Sequence, residues 1–288
     1  MSSLNQILAL VQELQLELEL YKYHQTDEII PSSNIRHHVL HPAQKPMELY
    51  QHILQQRHTK TIQTTFPESF IIYQPREYLG GDFLWAVRQS KKVMIVTGDC
   101  IGHGILGATG QFFMLTMLNE LVMENPAINA DELVMKIDEI VQEHNKGEDT
   151  VNMRVEMMAC FIEPEKRHMC LAGLYQEALL FRNGEITRFQ GRAGKLKPAE
   201  IPVHLQAHCM KYHPGDRLYF FTDGYYDQFG GEKGLKFLRR RFFEKLSSIQ
   251  PLSMGTQKED LEHTMQQWMH QYEEQQQTDD MLIIGLEL

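Results

Sequence analysis

Between Ser90-Lys91 and Gly98-Asp99 the chain carries an unbroken apolar run, Val93-Met94-Ile95-Val96. A run this short, β-rich and bounded by turn residues, forms a strand covered on both faces. A strand so covered belongs inside a layered fold. Two further strand-like runs precede it, Ser69–Tyr73 and Asp82–Arg88, punctuated by Pro75 and Gly80-Gly81. The reading has Gly98 end the buried strand, with Asp99 at its tip.

The pattern then alternates in blocks. Ile105–Met123 reads as a helix with Phe112, Leu115, Met117, Leu118 and Leu121 as candidate core. Pro126 separates it from a second helix over Asp131–Asn145, for which Asn129 is the N-cap. Strands follow over Val155–Ile162, His168–Ala172, Ala178–Arg182 and Ile186–Gln190, the last two joined by an Asn183-Gly184 hairpin turn. Arg217–Thr222 is another strand, Phe237–Ile249 and Gln257–Tyr272 are helical, and Met281–Leu288 is a final strand. No βαβ alternation is present, so a doubly wound sheet is excluded. The expected class is α+β, two antiparallel sheets flanked by helices.

Residues 1–60 read as an N-terminal helical extension and linker, and 61–288 as the main domain. Leu4, Val11 and Leu18 fall a heptad apart, as do Ile7, Leu14 and Tyr21. About three heptads is marginal for an isolated helix. The seam therefore needs a partner, either a second copy in a homodimer or the domain that follows. Gln25–Pro46, with His37, His38 and His41, reads as a solvated linker.

A formal charge of −10 argues against nucleic-acid binding. The polar residues within Met1–Leu20 argue against a signal peptide or membrane insertion. Cys100, Cys160, Cys170 and Cys209 form no CxxC pair and read as reduced thiols, which suggests the cytoplasm.

Four carboxylates stand beside glycine or at strand ends: Asp82 after Gly80-Gly81, Asp99 within Gly98-Asp99-Cys100-Ile101-Gly102-His103-Gly104, Asp223 before Gly224, and Asp279 after Thr278. Each alone fits a turn or cap, as Asp216 after Pro214-Gly215 does. Carboxylates at buried strand ends are costly without compensation. Four that converge suggest a hard divalent cation, since Mg²⁺ and Mn²⁺ prefer oxygen donors. Two such ions about 4 Å apart hold a bridging water and a phosphate oxygen. Asp99 is the choice for the bridge, because glycines at 98, 102 and 104 allow close backbone approach. His103 fixes its loop or acts as general acid. A Cys100 nucleophile finds no basic neighbour in its loop.

Taken together, Pro75–Asp82, Gly98–Gly104, Gly215–Gly224 and Asp279-Asp280-Met281-Leu282 resemble the SpoIIE-like branch of bacterial metal-dependent (PPM-type) serine/threonine protein phosphatases, from about Phe66 to Leu288. Phe229–Phe237 is similar to family members too. The resemblance implies a four-layer α-β-β-α sandwich with two Mn²⁺ or Mg²⁺ ions between the sheets. By matching position, Asp99 bridges the ions, Asp223 and Asp279 hold one, and Asp82 with the Cys100 backbone carbonyl holds the other. His103, Glu156 and Asp280 are supporting residues. The implied substrate is a phosphoserine or phosphothreonine regulatory protein in a partner-switching circuit, such as an antagonist of an anti-sigma factor. Two departures stand out. Ile101 occupies a position where Ser or Thr is common, and Met153-Arg154-Val155-Glu156 replaces an Asp-Gly-Met-Asp-like stretch. The second motivates an alternative, a catalytically inactive scaffold of the same fold that binds a phosphoprotein.

Overall fold

The computed structural model describes residues 44–77, 79–100, 104–146, 152–192, 205–270 and 276–288. The heptad helix over 3–22, the linker histidines, Ile101 and His103 lie outside the described residues. The chain divides into units 1–46 and Met47–Leu288, and the second carries the fold described below.

Two five-stranded antiparallel sheets form the centre. One has the order β2 (Asp82–Gln89), β3 (Lys92–Cys100), β4 (Val155–Glu163), β5 (His168–Leu174), β8 (His208–Lys211). The other has β1 (Ser69–Gln74), β12 (Met281–Glu287), β9 (Arg217–Phe221), β6 (Glu177–Arg182), β7 (Glu185–Gln190). Side chains alternate along each strand. Leu84, Ala86, Val93, Ile95, Met158 and Cys160 of the first sheet therefore share one core with Leu180, Leu218, Phe220, Leu282 and Ile284 of the second. Ile62 of α1 (Gln44–Thr65) and Phe66 just after it join that core.

Helices cover the outer faces. On the first sheet, α2 (Gly104–Glu124) packs on β2 and β3, and α3 (Ala130–His144) packs on β4 and β5. On the second, the short α4 (Gly224–Asp227), α5 (Arg239–Ile249) and α6 (Met254–His270) close an aromatic cluster in which the Phe242 ring lies 5.0 Å from both Phe221 and Tyr225. The architecture is the expected α-β-β-α sandwich. Val93, Met94, Ile95 and Val96 are all fully buried, as an unbroken apolar run requires. Asn183 and Gly184 both take positive φ, the geometry of a two-residue hairpin turn.

Several local expectations are corrected. β3 does not stop at Gly98; it runs through Asp99 to Cys100. Gly98 is needed there because a Cβ would lie 2.4 Å from the Phe83 ring and 2.5 Å from the Glu156 carbonyl oxygen. The short edge strand β8 has too few apolar residues to betray itself. It brings Cys209 directly opposite Cys170, where the two form a disulfide. Only Cys100 and Cys160 are free thiols, not all four. Residues 39 apart in sequence meet only through strand pairing, which spacing does not reveal.

Asp216 does more than make a turn. Its buried carboxylate accepts hydrogen bonds from Arg182 Nε (2.9 Å) and Nη2 (2.5 Å) and from the His213 amide (2.8 Å). Burial alone would raise its pKa, but those donors outweigh burial and hold it below the usual carboxylate range. Its contribution to stability is present at neutral pH and lost as pH falls through that lowered value. Replacing Asp216 with Ala strands a guanidinium, so urea unfolding at pH 7 is expected to show a loss of about 2–4 kcal/mol.

Candidate metal centre

The inner faces of both sheets are apolar along their length and turn polar at one end. Asp82 pairs with Asp99 across β2 and β3, and Asp99 pairs with Glu156 across β3 and β4. The three carboxylates thus form one row, continuing the inner faces that carry Leu84, Ile95 and Met158. Opposite them, the same alternation along β9 and β12 puts Thr222 and Asp280 at the end of the second sheet's inner face. Asp223 and Asp279 come one residue beyond and one residue before, where the backbone leaves the sheet. The Thr222 hydroxyl crosses the gap and donates to Asp82 Oδ2 at 2.7 Å.

The backbone around these groups is tightly determined. The Asp82 carbonyl accepts from Tyr73 Oη (3.0 Å) and Gln111 Nε2 (3.0 Å). Asp280 is buried, and its carboxylate accepts from the backbone amides of Gly81 (2.6 Å) and Arg76 (2.7 Å). It braces the β1–β2 connection instead of facing the acidic row. Gly224 is required by close approach, since a Cβ there would sit 1.7 Å from the Asp280 carbonyl oxygen. Gln228 ties the two C-terminal loops together. Its Nε2 donates to the carbonyls of Gly224 (2.9 Å) and Asp279 (2.8 Å), and its Oε1 accepts from the Thr278 amide (2.8 Å). Thr222, Gln111 and Gln228 escaped the sequence reading. Neutral residues inside apolar segments carry no local signal of a polar role.

The electrostatics are those of uncompensated negative charge. Asp82 is buried, while Asp99, Glu156, Asp223 and Asp279 are half-buried. Burial, then the Asp223, Asp279, Asp280 and Glu156 charges, push Asp99 up to about 8. Burial and Asp223 push Asp279 up to about 6. Burial and Asp99 raise Asp82 well above the carboxylate range. Asp223 is raised by burial and by Asp227. Glu156 is raised by burial and Asp223, and its ion pair with Arg154 at 3.0 Å offsets part of this. Among the described residues none of the four aspartates forms an ion pair.

Asp99, Glu156, Thr222 and Asp223 line a cavity of about 270 Å³, with Gln176 and Arg239 on its walls. Asp82 and Asp279 stand behind that lining. Among the described residues no three of these carboxylates bring an oxygen each within 4.8 Å of one another, and the one group that tight, His168 with Cys170 and Cys209, has both its sulfurs tied up in a disulfide. The acidic row is thus spread, not a single-ion cage. Buried oxygen donors without cationic partners are the donor set that hard divalent cations take. The Cys100 thiol is buried and raised well above its usual value by burial and the Asp99 charge, which makes it inert as a nucleophile.

Comparison with known proteins is in keeping with this arrangement. The family model for Stage II sporulation protein E (SpoIIE) matches residues 89–288. No curated protein matches the chain. Among solved structures, the SiaA-PP2C domain of Pseudomonas aeruginosa is similar at 22% identity and TM-score 0.71, over 86% of this chain and 99% of that one. The PP2C phosphatase domain, with a fragment of the regulatory domain, of the cell fate determinant SpoIIE from Bacillus subtilis is similar at 11% identity and TM-score 0.59, over 77% and 63%. The RsbU and RsbW domains of a Mycobacterium tuberculosis protein are similar at 16% identity and TM-score 0.57, over 77% and 60%. At these identities the likeness is one of fold.

Proposed function

We propose that this chain, which belongs to the Stage II sporulation protein E (SpoIIE) family, hydrolyses phosphoserine or phosphothreonine on a regulatory protein with the help of two divalent cations, Mn²⁺ or Mg²⁺. The observation that carries the reading is the gathering of Asp82, Asp99, Asp223 and Asp279, none of them ion-paired among the described residues, at one end of the inter-sheet core beside a cavity that Asp99 and Asp223 line. Asp99 lies between Asp82 and Glu156 in the acidic row and would be shared by both ions. Asp82 and the Cys100 carbonyl would help hold one ion, and Asp223 and Asp279 the other. When bound, the ions lower the pKa of a coordinated water and offset charge on the phosphate. The protein's share is positional. Thr222 fixes one oxygen of Asp82, Asp280 braces the Gly81 backbone, and Gln228 sets the spacing of Asp223 and Asp279. Glu156 supplies charge beside Asp99.

The partner we infer is a phosphorylated regulatory protein in a partner-switching circuit, such as an antagonist of an anti-sigma factor. The RsbU and RsbW domains of one structural neighbour support this. The heptads over residues 3–22 are the proposed homodimer contact. No described helix is long and apolar enough to cross a membrane.

The test is phosphate release from p-nitrophenyl phosphate in Mn²⁺ or Mg²⁺. Turnover is expected to vanish in EDTA and to fall at least about 100-fold in Asp223→Asn. Turnover that survives both treatments would rule out the mechanism. A wild-type chain that binds Mn²⁺ and a phosphoprotein without turnover would establish the inactive scaffold instead.

A further inference from the structure

We propose that the hairpin of β10 (Phe229–Gly230) and β11 (Leu235–Lys236), with the first turn of α5, is a docking surface for an acidic segment of the phosphoprotein substrate. The proposal rests on the phosphatase reading above and deepens it.

Charge is the first argument. Residues 232–245 hold six cations, Lys233, Lys236, Arg239, Arg240, Arg241 and Lys245, against two carboxylates, in a chain whose net charge is −10. Lys236 pairs with Asp227, Lys245 pairs with Asp260, and Arg241 stacks on Trp268, so these three have structural partners. Arg239, Arg240 and Arg188 of β7 also meet carboxylates, but their side chains stay 42%, 84% and 44% exposed. The guanidinium groups of Arg188 and Arg239 each lie 5.0 Å from the Phe243 ring and each pair with the buried Glu177. They are thereby pre-positioned, and each keeps further N–H donors for a ligand. The Arg240 ion pair with Glu244, at 3.7 Å, is a loose one on the surface.

Position is the second. Arg188, Arg239, Arg240 and Phe243, with Glu244, Ser247 and Ser248, line an open recess of about 770 Å³, three cations against one carboxylate. Arg239 also lines the carboxylate cavity, so the two recesses adjoin. A phosphoresidue at the acidic row leaves its flanking residues to run past Arg239 into the basic recess.

The third argument is apolar. Phe229, Leu235 and Leu238 are among the few large hydrophobic residues exposed to solvent, Leu235 at 58% and Leu238 at 53%. Leu238 has φ +78°, a strained conformation for a branched side chain. Backbone bonds hold it there on both sides: its amide donates to the Tyr226 carbonyl, and its carbonyl accepts from the Phe242 amide. Exposed leucine and phenylalanine beside several arginines match the composition of protein interfaces. The cation excess selects an acidic occupant over a neutral one.

The experiment uses the full chain in Mn²⁺ and two fluorescein-labelled peptides carrying a non-hydrolysable phosphonate analogue of phosphoserine, one with Asp/Glu flanks and one with Ser/Gln flanks. Anisotropy is expected to show about tenfold tighter binding of the acidic peptide, shrinking to within about twofold in Arg240→Glu. Leu235→Ser is expected to weaken the acidic peptide as well. With the phosphoserine forms as substrates, Arg240→Glu is expected to raise KM for the acidic peptide and leave p-nitrophenyl phosphate turnover unchanged. Equal binding of the two peptides by the wild type overturns the proposal. So does an Arg240→Glu variant that binds like wild type while Leu235→Ser weakens both peptides, which identifies a purely apolar partner. If neither p-nitrophenyl phosphate nor the peptides are hydrolysed, the phosphatase reading fails and anisotropy still decides the docking surface.

Discussion

Asp99→Asn is expected to abolish metal-dependent turnover and, in the metal-free protein, to raise stability at alkaline pH. Asp99 holds its proton up to about 8 because burial and the surrounding carboxylates oppose its charge. The folded state therefore binds more protons than the unfolded state between the ordinary carboxylate range and pH 8. Stability of the metal-free protein falls as pH rises through that window. An amide cannot ionise, so the variant escapes the penalty. The gain is already present at pH 6, partway through that window, and is expected to be larger by roughly 2–3 kcal/mol at pH 9, above it. Mn²⁺ should stabilise the wild type most at high pH, since metal and proton compete for the same oxygens. Urea unfolding at pH 6 and 9, with Mn²⁺ and with EDTA, checks all three statements. A variant less stable than wild type at pH 9 in EDTA would show that Asp99 is compensated by partners within the fold.

The second large effect is expected from Gln228→Leu. Gln228 is fully buried and touches no proposed ion, yet its amide spans Gly224, Thr278 and Asp279. Leucine keeps most of the volume and removes all four bonds, leaving two carbonyls, the Thr278 amide and the Thr278 hydroxyl each short of a partner. The cost to folding is about 1–3 kcal/mol. Because Asp223 and Asp279 lose their common tie, Mn²⁺ affinity should weaken about 10–100-fold, as for other residues that orient metal ligands. A calorimetric titration reads the affinity and a urea melt reads the stability. If stability falls while Mn²⁺ affinity holds, Gln228 serves the fold alone. Excess Mn²⁺ should restore turnover in this variant, which it cannot do for Asp99→Asn.

Much of this architecture was legible locally. Strand residues alternate or run apolar according to which faces are covered, so β1, β3, β4 and the Asn183-Gly184 hairpin announce themselves within a few residues. The two helix pairs show by their length and by Pro126. The carboxylates were visible as single acidic residues beside glycine, but each was equally a turn residue. Motif order and the resemblance it carried, not any local property, set them apart. Asp216 had the same local look and proved to be a buried partner of Arg182.

Period, turn chemistry and glycine spacing act over a few neighbouring residues, so the longer strands and helices, their order and the four aspartates are legible locally, whereas the short β8 is not. Tertiary structure decided the rest. Register placed Asp82, Asp99 and Glu156 in one row. Packing of the β9 and β12 ends brought Asp223 to Asp279 through Gln228. Pairing of an unremarkable edge strand joined Cys170 to Cys209. Each depends on which distant residues share one buried space, and burial is what turns an ordinary carboxylate into one that holds its proton to about pH 8.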